Sequence, residues 1–309
     1  RSAAVPRQIP TIGWRDILFR VKDQISSDNV SIVAAGVAFY CILALFPALA
    51  AVVSIYGLVT SPQEVQQQIQ SISDFLPQEA QTVIHEQLLS ISTSTESALS
   101  FGAIAGLLIA IWSASKGMSA LITSLNIAYN EEETRGFLKI TGLAILLTIM
   151  GIIFLILTLF LITLLPTVLR IFGFGELAKT GLSLARWPLL AVVVMVALAF
   201  LYRYAPCRNP PKWQWVSWGA GIATILWVIG SLGFAMYAND YGDYNQTYGS
   251  LGAAVILLMW FWLTAFIVMV GAEVNSEMER QTKKDTTVGE PQPMGQREAY
   301  AADSLGPSQ

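Results

Sequence analysis

The thirty residues from Val30 to Val59 contain no Asp, Glu, Lys, Arg or His. As one helix with a rise of 1.5 Å per residue they extend about 45 Å, beyond the ~30 Å hydrocarbon core of a bilayer. Such a segment has to tilt, kink or protrude. Pro47 is the expected kink, because it lacks a main-chain donor and forces Phe46 away from helical geometry. The bend is therefore expected around Leu45-Phe46-Pro47. At membrane depth a break of this kind is tolerated only where protein or water covers it, so the first span is expected inside a bundle.

The rest of the chain has the same character. Of 309 residues 54% are hydrophobic and only 13% charged, and the mean hydropathy is +0.56. Uncharged intervals recur at 97–115, 140–169, 187–202, 213–239 and 244–272. Together with the first they predict an all-α polytopic membrane protein of six transmembrane helices. Fifteen of the 18 Lys and Arg fall in the two tails and the even-numbered loops, and three (Arg170, Lys179, Arg186) fall on the opposite side. By the positive-inside rule both termini are cytoplasmic. The expected organisation is a cytoplasmic N-terminal segment 1–29, a membrane domain 30–272, and a tail 273–309 that is cytoplasmic and largely disordered.

Two insertions break the pattern of spans. Residues 60–96 hold five acids and His85 but no Lys or Arg, and Ser61-Pro62-Gln63-Glu64 has the form of a capping box. Apolar residues at helical spacing follow on both sides of Pro77, which predicts an extracytoplasmic helical hairpin. The second span is expected to end at Trp112-Ser-Ala-Ser-Lys116. An interfacial helix at 116–130 is then expected on the cytoplasmic side, carrying Met118, Leu121, Ile122, Leu125 and Tyr129 on one face. Glu131, Glu132 and Glu133 read as a solvated turn. Residues 12–25 predict a short amphipathic helix or charged anchor, and Trp213, Trp215 and Trp218 an aromatic belt. The third span, rich in Leu and Ile, is assigned to lipid. Cys41 and Cys207 read as inert thiols rather than a disulfide framework.

Six motifs in order resemble the YihY/BrkB family of bacterial inner-membrane proteins, once labelled ribonuclease BN. They are Ala35-Gly-Val-Ala-Phe-Tyr40 with Pro47, Trp112-Ser-Ala-Ser-Lys116, Asn126-Ile-Ala-Tyr129 with Arg135, Leu201-Tyr-Arg203-Tyr-Ala-Pro206, Thr247-Tyr-Gly-Ser-Leu-Gly252 and Gly271-Ala-Glu273-Val-Asn275. The resemblance covers roughly residues 12 to 280. It implies a six-span protein of the cell envelope, in a family some of whose members are tied to export of envelope lipids or to virulence.

Polar residues placed where a membrane makes them costly are the candidate site. Lys116, Asn126, Arg135, Arg203, Glu273 and Asn275 fall at or near cytoplasmic ends of spans, where cations suit a lipid phosphate. Tyr40, Pro47, Trp112 and Tyr248 are the candidate interior lining. The expected function is movement or hand-off of a lipid or other amphiphile at the inner membrane, with membrane lipids as partners and no cofactor. The alternative is a non-catalytic scaffold that recruits an envelope protein through residues 60–96. Catalysis is not expected: the acids at 131–133 stand consecutively and cannot converge on a metal from a helix, and no basic, aromatic-interleaved surface suits nucleic acid.

Overall fold

The structure, a computed structural model, describes residues 2–59, 96–159, 176–240 and 250–307. Residues 60–95 of the expected hairpin, His85 among them, and Tyr248 lie outside the described residues, while Glu96 opens a helix. Among those described the fold is helical: α1 Thr11–Ser27, α2 Val30–Val59, α3 Glu96–Ala128, α4 Phe137–Leu159, α5 Glu176–Tyr204, α6 Trp213–Asp240, α7 Ser250–Glu279 and α8 Tyr300–Asp303, after a single 3-10 turn at Pro6–Gln8. Among the described residues extended pairing is limited to one antiparallel bridge, Pro211 with Thr287.

Among the described residues, four stretches are long and apolar enough to cross a membrane: Ile104–Ala128, Phe137–Phe154, Trp213–Tyr237 and Ala254–Glu279. The bent pair Thr11–Ser27 and Val30–Leu45 makes up to five, and Pro188–Tyr204 is a shorter apolar helix. Ile32, Leu108, Ile153 and Ile229 are each at least 60% exposed on the outer faces. A broad apolar exterior of this kind is what lipid contact requires.

α7 packs against α1, α2, α3, α6 and α8 and is the central element. Its closest approach is to α6, where Gly219 meets Gly271: a Cβ on Gly219 would fall onto the Gly271 carbonyl, and one on Gly271 onto the Tyr202 hydroxyl. Small residues let two backbones touch, and the contact is locked by hydrogen bonds. Asn275 Oδ1 accepts from the Gly219 amide at 2.8 Å, and its Nδ2 donates to the Val216 carbonyl at 3.3 Å. The Tyr202 hydroxyl of α5 donates to the Val268 carbonyl at 2.8 Å. Ile122 and Leu125 of α3, Leu147 of α4, Val216 of α6 and Ile267 of α7 close the main core.

Several expectations are corrected. The interfacial helix expected at 116–130 is not a separate element: α3 runs through Lys116 unbroken, and Ile122, Leu125 and Ala128 face the core rather than a membrane surface. An amphipathic pattern looks the same whether its apolar face meets lipid headgroups or neighbouring helices. Pro47, where the sequence places a bend, is an interior proline of α2. The sharp bend near this helix, 61°, separates α1 from α2, where Asn29 takes the left-handed conformation, φ 51°, that Asn tolerates better than most residues. The Asn29 carbonyl then accepts from Ile32 and Val33 and starts α2. Trp213 and Trp218 are exposed, but Trp215 of the expected belt is buried with Ile17, Val21, Val274 and Met278 beneath α1.

The tail is also ordered where disorder was expected. Arg297 is buried and donates to the carbonyls of Ala302, Lys283 and Gln292 at 2.6, 2.8 and 3.1 Å. Burial alone would raise Asp285, but donors from Gln292 and Thr287 outweigh it and bring its carboxyl below the usual range. This lobe docks on the α5–α6 connection. The Asn209 amide donates to the Glu298 carbonyl, Lys212 to Thr286, and Val288 to Pro210. Its order rests on main-chain and buried charged contacts, which a search for apolar periodicity does not register.

Candidate functional site

One end of the bundle gathers charge. α3 ends in a Schellman motif: Asn130 at φ 54° donates to the Ile127 carbonyl, and Glu131 to that of Asn126. The reversal presents the three glutamates toward the α5–α6 connection. They are more than a solvated turn. Glu133 receives Arg135 Nε at 2.7 Å and Nη2 at 2.6 Å, and also Asn126 Nδ2 at 2.9 Å. The Arg135 hydrogen bonds hold its carboxyl down at about 2. Glu131 is raised by burial, partly offset by the Tyr300 amide that it accepts at 2.7 Å. Asn126 Oδ1 accepts the Cys207 amide at 2.8 Å and ties this turn to the end of α5.

Between these parts lies an open recess of about 820 Å³, lined by Arg135, Arg203, Arg208, Cys207, Glu131 and Tyr300 among others. Its three arginines differ in how their donors are used. Arg135 is occupied by Glu133 and by the Ala205 carbonyl at 2.9 Å. Arg208 is enclosed with Glu279, its Nη2 2.7 Å and its Nη1 3.1 Å from the two carboxylate oxygens. Arg203 has Nε and Nη1 buried with no acceptor. Its guanidinium lies 4.4 Å from the centre of the Trp213 ring and 5.4 Å from that of Tyr204. Phe200 completes the aromatic group, 5.0 Å from Trp213 and 5.8 Å from Tyr204. A guanidinium held on π-faces keeps its charge. Glu132 and Glu298 supply further carboxylates to the lining.

The other sequence candidates are not brought to this recess. Lys116 is exposed, 4.5 Å over the Trp112 ring, and with Tyr40, Gly36 and Thr123 lines a separate groove of about 350 Å³ between α2 and α3. Asn275 is engaged in the α6–α7 crossing. Glu273 is fully buried in α7 with both oxygens unpartnered. Composition missed Tyr300 because it sits in the segment assigned to disorder. Arg208 and Trp213 were visible only as a boundary charge and a belt residue. An Arg-Tyr pair followed nine residues later by Trp213, across a Pro-rich connection, was the available signal.

The Virulence factor BrkB family matches residues 21–295, which include every arginine of the recess. The chain belongs to this family. Among similar proteins, the putative ribonuclease-like protein YfkH of Bacillus subtilis (strain 168) is 30% identical over 259 residues, covering 81% of this chain and 90% of YfkH. A UPF0761 membrane protein of Vibrio cholerae is 38% identical over 102 residues, about a third of each chain. Another from Alkalilimnicola ehrlichii is 26% identical over 293 residues, 90% of this chain and 62% of that protein. No solved structure matches the chain. BrkB membership and the apolar helices agree on a multi-pass membrane protein.

Proposed function

We propose that this BrkB-family protein binds an anionic lipid or similar amphiphile by its headgroup at Arg203 and hands it off at the inner membrane. The observation that carries the reading is the Arg203 guanidinium, with two buried nitrogens that have no acceptor among the described residues, beside a recess of about 820 Å³. A buried donor without a partner costs about 1–3 kcal/mol, more for a charged group, and an anionic oxygen removes that cost. Phosphate oxygens match the planar fork of Arg, and charge-assisted bonds are the stronger kind. Fifteen of the 18 cations on the two tails and even-numbered loops favour the cytoplasmic face for this end. Exposed Trp213 and Tyr204 suit the headgroup level.

Binding of a short-chain phosphatidylglycerol to the full-length protein in neutral detergent tests the reading. Saturable binding that Arg203→Ala abolishes and Arg203→Lys weakens is expected. Equal binding by wild type and Arg203→Ala contradicts it.

A further inference from the structure

Lys116 stands in the middle of a stretch long and apolar enough to cross a membrane. It is the central residue of Ile104–Ala128 in α3, about 18 Å of helix from Ala128. An ionisable side chain at that depth is costly and by default functional. The stem of Lys is too short to snorkel from there to the headgroups. Its ammonium turns away from the charged end of the bundle, back over the Trp112 ring one turn earlier in α3, 4.5 Å from the ring centre. Neither helix beside it supplies a counterion. α2 has no Asp or Glu, and α3 has only Glu96, about 30 Å away along the helix. Among the described residues the Lys116 side chain forms no ion pair or hydrogen bond.

The groove between α2 and α3 leaves room beside that charge. The two helices touch at Gly117, where a Cβ would stand 3.7 Å from the Tyr40 and Cys41 main chain, and this contact sets Lys116 next to Tyr40. Beside it the helices part around about 350 Å³, lined by Gly36 and Tyr40 of α2 and by Lys116, Ser119 and Thr123 of α3. A Cβ on Gly36 would meet nothing within 4 Å, so the space reaches the α2 backbone. The Ser119 and Thr123 hydroxyls donate to the Ser115 and Ser119 carbonyls at 2.8 and 3.1 Å. The Lys116 ammonium and the Tyr40 hydroxyl are the donors that remain for a ligand. Along the same helices Leu43, Leu108 and Ile109 are exposed, surroundings that suit acyl chains rather than a soluble anion.

We propose that this groove is an intramembrane binding site for the anionic headgroup of a membrane lipid, held by the Lys116 ammonium with the Tyr40 hydroxyl as second donor. An anionic oxygen there meets a charge that the protein leaves unpaired, and the compact ammonium accepts it from several directions. The ligand class rests on the Arg203 reading, but the groove shares no residue with the recess, so either site can fail alone. A headgroup that leaves the recess meets a second cation part-way across the bilayer.

Photo-crosslinking of the full-length protein in lipid nanodiscs tests the proposal, with Thr123→p-benzoylphenylalanine as the probe and labelled phosphatidylglycerol or phosphatidylcholine as the lipid. Capture of phosphatidylglycerol is expected to exceed that of phosphatidylcholine about tenfold, the effect of one charge-assisted hydrogen bond. Lys116→Gln should remove the preference and Lys116→Arg should keep it. Gly36→Leu, which fills the groove and leaves the charge, should remove it as well. Arg203→Ala should leave it in place, and soluble glycerol phosphate should not compete. Equal capture of the two lipids without further substitution overturns the proposal, as does a preference that survives Lys116→Gln or Gly36→Leu. Loss of the preference in Arg203→Ala overturns it in favour of the recess alone, and displacement by glycerol phosphate overturns it in favour of a soluble anion. Should Lys116→Gln not fold, the comparison of the two lipids and Gly36→Leu still decide.

Discussion

Arg208 and Glu279 form a fully enclosed ion pair, each side chain 0% exposed, that joins the α5–α6 connection to the end of α7. Arg208 also lies 5.1 Å from the centre of the Tyr129 ring, and Thr286 donates to Glu279 at 2.5 Å, so the pair binds α3 and the tail as well. Removing one member of a buried pair strands the other charge. Glu279→Gln is expected to destabilise the protein by about 3–5 kcal/mol. Unfolding in mixed detergent micelles measures this, and proteolysis within residues 283–307 should accelerate in parallel.

The Glu133–Arg135 clamp has a pH signature. The Glu133 carboxyl is held at about 2 against an ordinary 4.5. A folded value below the unfolded one means that its stabilisation is complete above about pH 4.5 and is lost as the pH falls toward about 2. Thermal midpoints recorded across this window should fall more steeply for the wild type than for Glu133→Gln, which lacks the titrating group. Parallel curves would remove the clamp from the account.

The α6–α7 crossing predicts intolerance of a single methyl group. Gly271→Ala would drive its Cβ onto Tyr202 and Ala223, so a loss of about 1–3 kcal/mol or more is expected from overpacking. Gly36→Ala has open space around the added carbon and serves as the control, expected to melt within a degree or two of wild type. The comparison is made by thermal denaturation in detergent.

Much of the scaffold was legible because long uncharged runs have few alternatives in water, and α2, α4, α6 and α7 follow those runs closely. What was not legible is which partner an amphipathic face meets. Ile122, Leu125 and Tyr129 have the same spacing whether they face a membrane surface or, as here, a helical core. The tail was misread for a related reason: Arg297 is a polar residue acting as the centre of a buried network, and composition counts it only as charge. Of the recess, the placing of Arg203 at a span end was legible in the sequence. Its separation from Lys116 and the diversion of Asn275 to the Gly219 amide depend on tertiary packing, which helical periodicity does not encode.

The most direct test of lipid handling at Arg203 is leaflet exchange of a fluorescent phospholipid in liposomes containing the full-length protein. The wild type should accelerate exchange over empty liposomes. Arg203→Ala should reduce the acceleration about tenfold or more, in line with losing roughly 1.5–3 kcal/mol of charge-assisted hydrogen bonding, while its stability falls only by the lost Trp213 and Tyr204 ring contacts, about 0.5–2 kcal/mol. Exchange by Arg203→Ala equal to wild type, or by wild type equal to empty liposomes, would contradict the account.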